Sequence, residues 1–169
     1  MPIPQRKSPR AKWLEYNEGL YFVTVCTKNR EHFFGNIING EMTLSPIGEF
    51  LFNELANENT HHPNVKVLTF VVMPNHFHII VELNSDTARR VPTIEDRILQ
   101  KIGKVPLPLL SSYIGSVKSA VSRFAHTINP NFAWQSRYHD HAIRGVADLN
   151  NISLYIENNV KNWDKDCFY

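Results

Sequence analysis

The sequence predicts an α+β domain: a ferredoxin-like, split β-α-β antiparallel sheet with helices on one face and a C-terminal helix that bears a tyrosine. Three observations point there. Residues 20–27, 65–73 and 77–83 are β-branched and aromatic runs of strand length. Residues 109–126 repeat apolar side chains at three- and four-residue steps, the period of a helix. The segments also follow one another as strand, hairpin, helix, strand, strand, helix, strand, helix. With 169 residues, the chain is read as a single domain, 1–169, of a size that buries one substantial core.

Each element has a local reason. LYFVTVCT (20–27) is a strand. NIINGEMTL (36–44) is a hairpin around Asn39-Gly40, because Asn-Gly supplies the positive φ angles of the tightest turns. Ser45-Pro46 reads as an N-cap followed by a first-turn proline, with Glu49 near that start. The helix then carries Ile47, Phe50, Leu51 and Leu55 on one face and ends near Glu58. VKVLTFVVM (65–73) and FHIIVEL (77–83) are antiparallel strands joined at Pro74-Asn75. Residues 84–107, with Arg89-Arg90, Pro92 and Pro106, read as a mobile connection with room for a short helix over IEDRILQKI. Leu110, Ile114, Val117, Val121 and Phe124 mark the second long helix. Residues 134–143 are expected to form a fourth strand, and Asp148 to cap a last helix holding Ile152, Tyr155, Ile156 and Val160.

Composition narrows the class. Hydrophobic content of 43% and aromatic content of 11% belong to a folded domain rather than a disordered chain. No apolar run reaches membrane-spanning length, and the first residues are basic and polar, so the expected compartment is the cytoplasm, with no membrane partner. Cys26 and Cys167 are too few and too distant for a disulfide framework. The net charge of +2 is a mild excess. Arg6, Lys7, Arg10 and Lys12 crowd a basic N-terminal arm, 1–15, which suits either solvent or a polyanion.

The segment with chemistry is Pro74-Asn75-His76-Phe77-His78. Strand side chains alternate, so His76 and His78 share a face while Phe77 enters the opposite layer. Two imidazoles so placed can hold one cation, although the spacing alone also suits two ordinary histidines at a strand start. The second segment is Tyr155–Asn159. Residues four apart share a helix face, so Tyr155 and Asn159 project together. A phenol with a pKa near 10 is a weak nucleophile unless a cation offsets charge on the group it attacks. Taken alone, Tyr155 reads as a packed ring and Asn159 as a helix C-cap.

Together these residues resemble the single-tyrosine HUH transposases, most closely the REP-associated tyrosine transposase branch. That family's motif is histidine, bulky hydrophobe, histidine, matched by His76-Phe77-His78. Its catalytic tyrosine lies in a YIxxNPVK-like helix, matched by Tyr155–Lys161 except that the proline is absent. Tyr21–Thr27 with Asn29-Arg30, Ile114–Val121, Trp134–Tyr138 and His139–Arg144 resemble further family segments in the same order. Residues 84–107 match least.

The resemblance implies a transposase that cleaves and rejoins single-stranded DNA through a 5′-phosphotyrosine intermediate. Tyr155 would be the nucleophile, and His76, His78 and Asn159 would hold Mg²⁺ or Mn²⁺. The expected partner is single-stranded or hairpin DNA. Homodimer formation, and whether Tyr155 serves its own or a partner's site, are left open. Lys118, Arg123, Arg137 and Arg144 are candidates for phosphate contacts, with solvated surface charge as the alternative. Trp134 and Tyr138 could stack on bases, although Trp134 also suits the core. His139 and His141 form a rival pair that the family match puts outside the site, and His61-His62 reads as loop. The competing readings are a replication or relaxase-type HUH nickase and a non-catalytic nucleic-acid-binding domain. A two-histidine phosphodiesterase lacks the second His-x-Thr or His-x-Ser motif it needs.

Overall fold

The computed structural model describes residues 19–57, 62–84 and 109–165. The basic arm 1–15, His61, Glu58, Cys167 and nearly all of the 84–107 connection, with its expected helix over IEDRILQKI, lie outside the described residues.

The elements run β1 (Gly19–Cys26), β2 (Gly35–Ile38), β3 (Glu41–Leu44), α1 (Pro46–Ala56), β4 (Val65–Met73), β5 (His76–Leu83), α2 (Leu109–Ile128), β6 (His139–Ala142) and α3 (Val146–Asn158). This is the expected order. The main sheet is β4-β5-β1-β6, and every pairing in it is antiparallel. β2 and β3 form a separate hairpin. Its turn places both Asn39 (φ 54°) and Gly40 (φ 77°) at positive φ, as the Asn-Gly signal requires.

Strand alternation divides the sheet into two faces. Val23, Val25, Phe77, Ile79 and Val81 are fully buried against Ile47, Leu51 and Leu55 of α1 and Leu110, Ile114, Val117 and Val121 of α2. Phe50 and Phe124 stack between the two helices at 4.3 Å. Thus α1 and α2 cover one face. The tyrosine-bearing α3 lies across the other, against β4 and β5.

Helix α1 starts as expected: the Ser45 hydroxyl accepts the Gly48 N–H at 3.1 Å, and Pro46 opens the first turn. The same hydroxyl donates to the Phe33 carbonyl at 2.6 Å, tying the helix start to the segment before β2. The contact is so close that a Cβ on Gly48 would stand 2.0 Å from the Phe34 carbonyl oxygen. Backbone cannot swing aside as a side chain can, so Gly48→Ala is expected to destabilise the domain by about 1–3 kcal/mol or more. A urea titration of both proteins checks this, and an unchanged midpoint would count against the seating of α1.

Two expectations are corrected. The fourth strand is confined to His139–Ala142, with only an isolated bridge between Thr27 and Trp134 before it. Ladder pairing reaches only Tyr21–Thr24 of β1. The cap of α3 is Gly145, not Asp148. Gly145 has φ 98° and ψ 169°, a region essentially reserved for glycine. Asp148 sits in the first turn and reaches backward, accepting the Arg144 N–H at 3.0 Å and a hydrogen bond from His141 at 2.9 Å. Those two bonds hold its carboxyl below the usual carboxylate range.

Candidate active site

β5 begins at His76, directly after the Pro74-Asn75 turn, so both histidines lie in regular strand. Their side chains share the face opposite Phe77, which is buried in the core between the sheet and the helices. His76 and His78 are almost wholly inaccessible, at 0% and 1%. Their Nε2 atoms approach to 3.0 Å, so both rings aim at one point.

Cross-strand register supplies the surroundings. β1 pairs with β5 so that Thr24 lies opposite His78 and Cys26 opposite His76. The Thr24 hydroxyl contacts His78 Nδ1 at 2.7 Å. Phe22, one step along the same face, stacks on the His78 ring at 5.2 Å. Asn75 Oδ1 contacts His76 Nδ1 at 2.7 Å, while Asn75 Nδ2 donates to the Arg30 carbonyl at 3.2 Å. The Thr27 N–H donates to the Asn75 carbonyl at 2.9 Å, and the Thr27 hydroxyl lies between the carbonyls of Glu31 and Asn75, at 2.7 and 3.0 Å. The turn that presents His76 is therefore tied to the chain leaving β1.

The tyrosine comes from above. Tyr155 Oη lies 3.2 Å from His78 Nε2 within the same chain. The ring packs edge-on to Phe22 and against His78, yet the residue is 42% exposed. It is neither pinned in the core nor remote from the imidazoles. Asn159, the C-cap of α3, is buried one turn further on, and its Oδ1 atom accepts no hydrogen bond. It thus serves as the helix end and as part of the same face. Beyond it Trp163 stacks on His76 at 5.9 Å and meets His32 edge-on at 5.8 Å.

Electrostatics keep His76 uncharged. Burial, aided by the nearby Arg30 charge, lowers the His76 pKa from 6.5 to about 3. A neutral imidazole presents a lone pair, which a cation needs. The shift also fixes a stability trend. Between pH 6.5 and about 3 the unfolded chain holds a proton on this residue and the folded one does not, so stability falls as pH is lowered through that window. We expect a loss on the order of 2 kcal/mol from this group between pH 7.5 and 5. Denaturant titrations of wild type and His76→Ala at both pH values isolate it. Equal losses in the two proteins would assign the acid sensitivity elsewhere.

Among the described residues no cluster of three or more His, Cys, Asp or Glu side chains could hold a metal ion. The donors that converge are the two imidazoles, which by themselves cannot close a tetrahedral shell as structural zinc sites do.

The cationic candidates lie elsewhere. Lys118 is on α2, in the helical layer, where its Nζ donates to the Gln135 carbonyl at 2.7 Å and lies 5.8 Å from the Trp134 ring centre. Burial lowers its pKa. Arg123 and Arg137 are exposed, and Arg144 is exposed at the foot of α3. Trp134 is a core residue: it packs on Phe34, Phe77 and Phe132, and its indole donates to the Lys118 carbonyl. The Tyr138 hydroxyl bonds Ser111 at 2.8 Å. By register His139 and His141 share the histidine face, with β1 between, and His141 is engaged with Asp148.

Sequence reasoning missed Thr24, Asn75, Phe22 and Trp163. Phe22 and Thr24 could have been found by extending the alternation argument to β1 once its pairing with β5 was assumed.

A protein of Haemophilus influenzae strain Rd, itself named only as uncharacterized, is 34% identical over 170 residues, covering 99% of this chain and 94% of its own. The chain belongs to that protein's family. No family model matches it. A solved REP-associated tyrosine transposase bound to a REP hairpin aligns over 94% of this chain and 72% of its own, with TM-score 0.52 and 19% identity. At that identity the likeness is one of fold. It agrees with the expected α+β fold, an antiparallel sheet with helices on one face and a C-terminal tyrosine-bearing helix.

Proposed function

We propose that this protein is a DNA transposase of the single-tyrosine HUH type, cleaving and rejoining single-stranded DNA. The observation that carries the reading is the Tyr155 hydroxyl 3.2 Å from His78 Nε2, beside a second imidazole whose Nε2 is 3.0 Å from the first. A nucleophile and a cation-binding pair would then act on one phosphate, and within one chain.

His76, His78 and Asn159 would hold Mg²⁺ or Mn²⁺. When bound, such an ion polarises a phosphate oxygen and offsets charge developing in the transition state. Tyr155 would attack phosphorus, its phenolic proton passing to solvent. The O–P bond to the tyrosine would form as the bond to the 3′ oxygen breaks, and that oxygen would take a proton from solvent, giving a 5′-phosphotyrosine and a free 3′-hydroxyl. Attack by a 3′-hydroxyl on that link reverses the step and rejoins DNA without a nucleotide energy source. Phe22 would hold the His78 ring and the phenol in their edge-on arrangement, and Trp163 would shield His76 from water. Lys118, Arg123, Arg137 and Arg144 would bind the DNA backbone away from the reacting atoms.

A purely nucleic-acid-binding domain reading its ligand on an open sheet fits less well. One sheet face is sealed by α1 and α2, and α3 crosses the other. The test is incubation with single-stranded hairpin DNA and Mn²⁺, followed by denaturing electrophoresis. We expect a covalent protein–DNA adduct that is absent in Tyr155→Phe and His76→Ala. Undiminished adduct in Tyr155→Phe would sink the reading.

A further inference from the structure

The two histidines are chemically inequivalent, and their neighbours say which nitrogen of each carries the proton. Asn75 fixes His76. Its Nδ2 must face the Arg30 carbonyl at 3.2 Å, since a carbonyl can only accept. Its Oδ1 therefore faces His76 Nδ1 at 2.7 Å, and that oxygen too can only accept. His76 Nδ1 thus carries the hydrogen. A neutral ring has one N–H, so His76 Nε2 presents a lone pair. The backbone at Asn75 is tied down by the Thr27 N–H, which donates to its carbonyl at 2.9 Å and keeps the amide in place.

His78 follows from His76. Two lone pairs facing each other at 3.0 Å repel, so the close Nε2–Nε2 contact requires a hydrogen from His78 Nε2. That hydrogen also lies toward Tyr155 Oη, 3.2 Å away. His78 Nδ1 is then the acceptor, and the Thr24 hydroxyl donates to it at 2.7 Å.

We propose that His76 is a preset ligand held by Asn75, whereas His78 binds a cation only by moving its proton from Nε2 to Nδ1, with Thr24 turning from donor to acceptor. The inference rests on the metal-binding reading above for its second half and stands on geometry alone for its first. A hydroxyl is suited to the task because it can donate or accept by rotating. No net proton is lost, because the one that leaves Nε2 is taken up at Nδ1. The move also withdraws the N–H that faces Tyr155, leaving the phenol oxygen open to a phosphate. Asn75 and Thr24 are accordingly positioning residues: they set the imidazoles and do not touch substrate.

The experiment is ¹⁵N–¹H correlation NMR on histidine-labelled full-length protein, first metal-free and then with Zn²⁺ as a diamagnetic probe. In the metal-free protein we expect His76 protonated at Nδ1 and His78 at Nε2. With Zn²⁺, His76 keeps its pattern and His78 moves its proton to Nδ1. A metal-free His76 protonated at Nε2, or a His78 already protonated at Nδ1, overturns the assignment. Calorimetric Mn²⁺ titration is the second arm. Asn75→Leu and Thr24→Val are expected to weaken binding by about 10–100-fold, while Thr24→Ser, which keeps the hydroxyl, retains most of it. Equal affinity in Thr24→Val and wild type would overturn the role of Thr24. If wild type binds neither ion, the metal-binding reading fails, while the metal-free spectrum still decides the proton assignment.

Discussion

Replacing Tyr155 by phenylalanine is expected to abolish the covalent protein–DNA adduct while leaving the fold and cation binding intact. The substitution removes one oxygen. That oxygen lies 3.2 Å from His78 Nε2, a long contact, and the residue is 42% exposed. A neutral hydrogen bond at a partly exposed site contributes about 1 kcal/mol or less net, so thermal unfolding should shift little. The ring keeps its edge-on contact with Phe22 and its packing on His78. Chemistry is affected far more, because among the described residues no other exposed hydroxyl is seen to contact the imidazole pair. Thr24, the nearest candidate in the register, is 4% exposed and committed to His78 Nδ1. Adduct formation should fall by about 10³-fold or more, as when a nucleophile is deleted. Denaturing gels measure the adduct, and a parallel melting curve shows that the fold is retained. Adduct at wild-type level, or a collapsed melting temperature, would each contradict the assignment of Tyr155 as an accessible nucleophile rather than a packing residue.

Much of this site was legible because its main parts obey local rules. His76 and His78 are two residues apart in a strand, and Tyr155 and Asn159 four apart in a helix. Each pair's shared face follows from the period of its own element. Likewise the Asn39-Gly40 turn and the Ser45 cap depend on a few adjacent residues. What lay hidden depends on chain segments meeting. Thr24 stands 54 residues from the ring it touches, and only the β1–β5 register joins them. Trp163 comes after α3 has ended, in a single 3-10 turn, where no periodicity reports which way a side chain points. The shortness of β6 lies in its ladder with β1, which takes in only Tyr21–Thr24, and the residue types over 134–143 do not encode that register. Asp148 was read as the cap because its residue type suits one. Its carboxylate is instead taken by His141 and the Arg144 N–H, and the backbone shape at the junction needs a glycine. The hairpin, α1 and the core strands needed no such long-range knowledge.

Replacing His78 by alanine should have the second large effect, and it separates the cation from the nucleophile. His78 is where the parts of the site meet: Thr24 at Nδ1, His76 and Tyr155 at Nε2, and Phe22 on the ring face. Removing it leaves one imidazole and one amide oxygen for a divalent ion. Loss of a direct ligand should exceed the roughly 10–100-fold that outer-shell partners cost, so Mn²⁺ affinity should fall by more than about 100-fold. Adduct formation should fall with it even though Tyr155 is untouched, because a phenol with an ordinary pKa near 10 attacks phosphate poorly without charge compensation. The side chain is 1% exposed, so the substitution opens a cavity and takes a hydrogen-bond partner from His76, and a loss of stability of about 2–5 kcal/mol is expected. Calorimetry with Mn²⁺ and the adduct gel, run on the same preparations of His78→Ala and Tyr155→Phe, give a pattern that no general loss of structure can copy. Tyr155→Phe should bind Mn²⁺ and form no adduct, whereas His78→Ala should do neither while still unfolding cooperatively. If His78→Ala instead bound Mn²⁺ as wild type does, the imidazole pair would be a buried hydrogen-bonded element of the sheet, and the chemistry assigned to this face would have to rest on other residues.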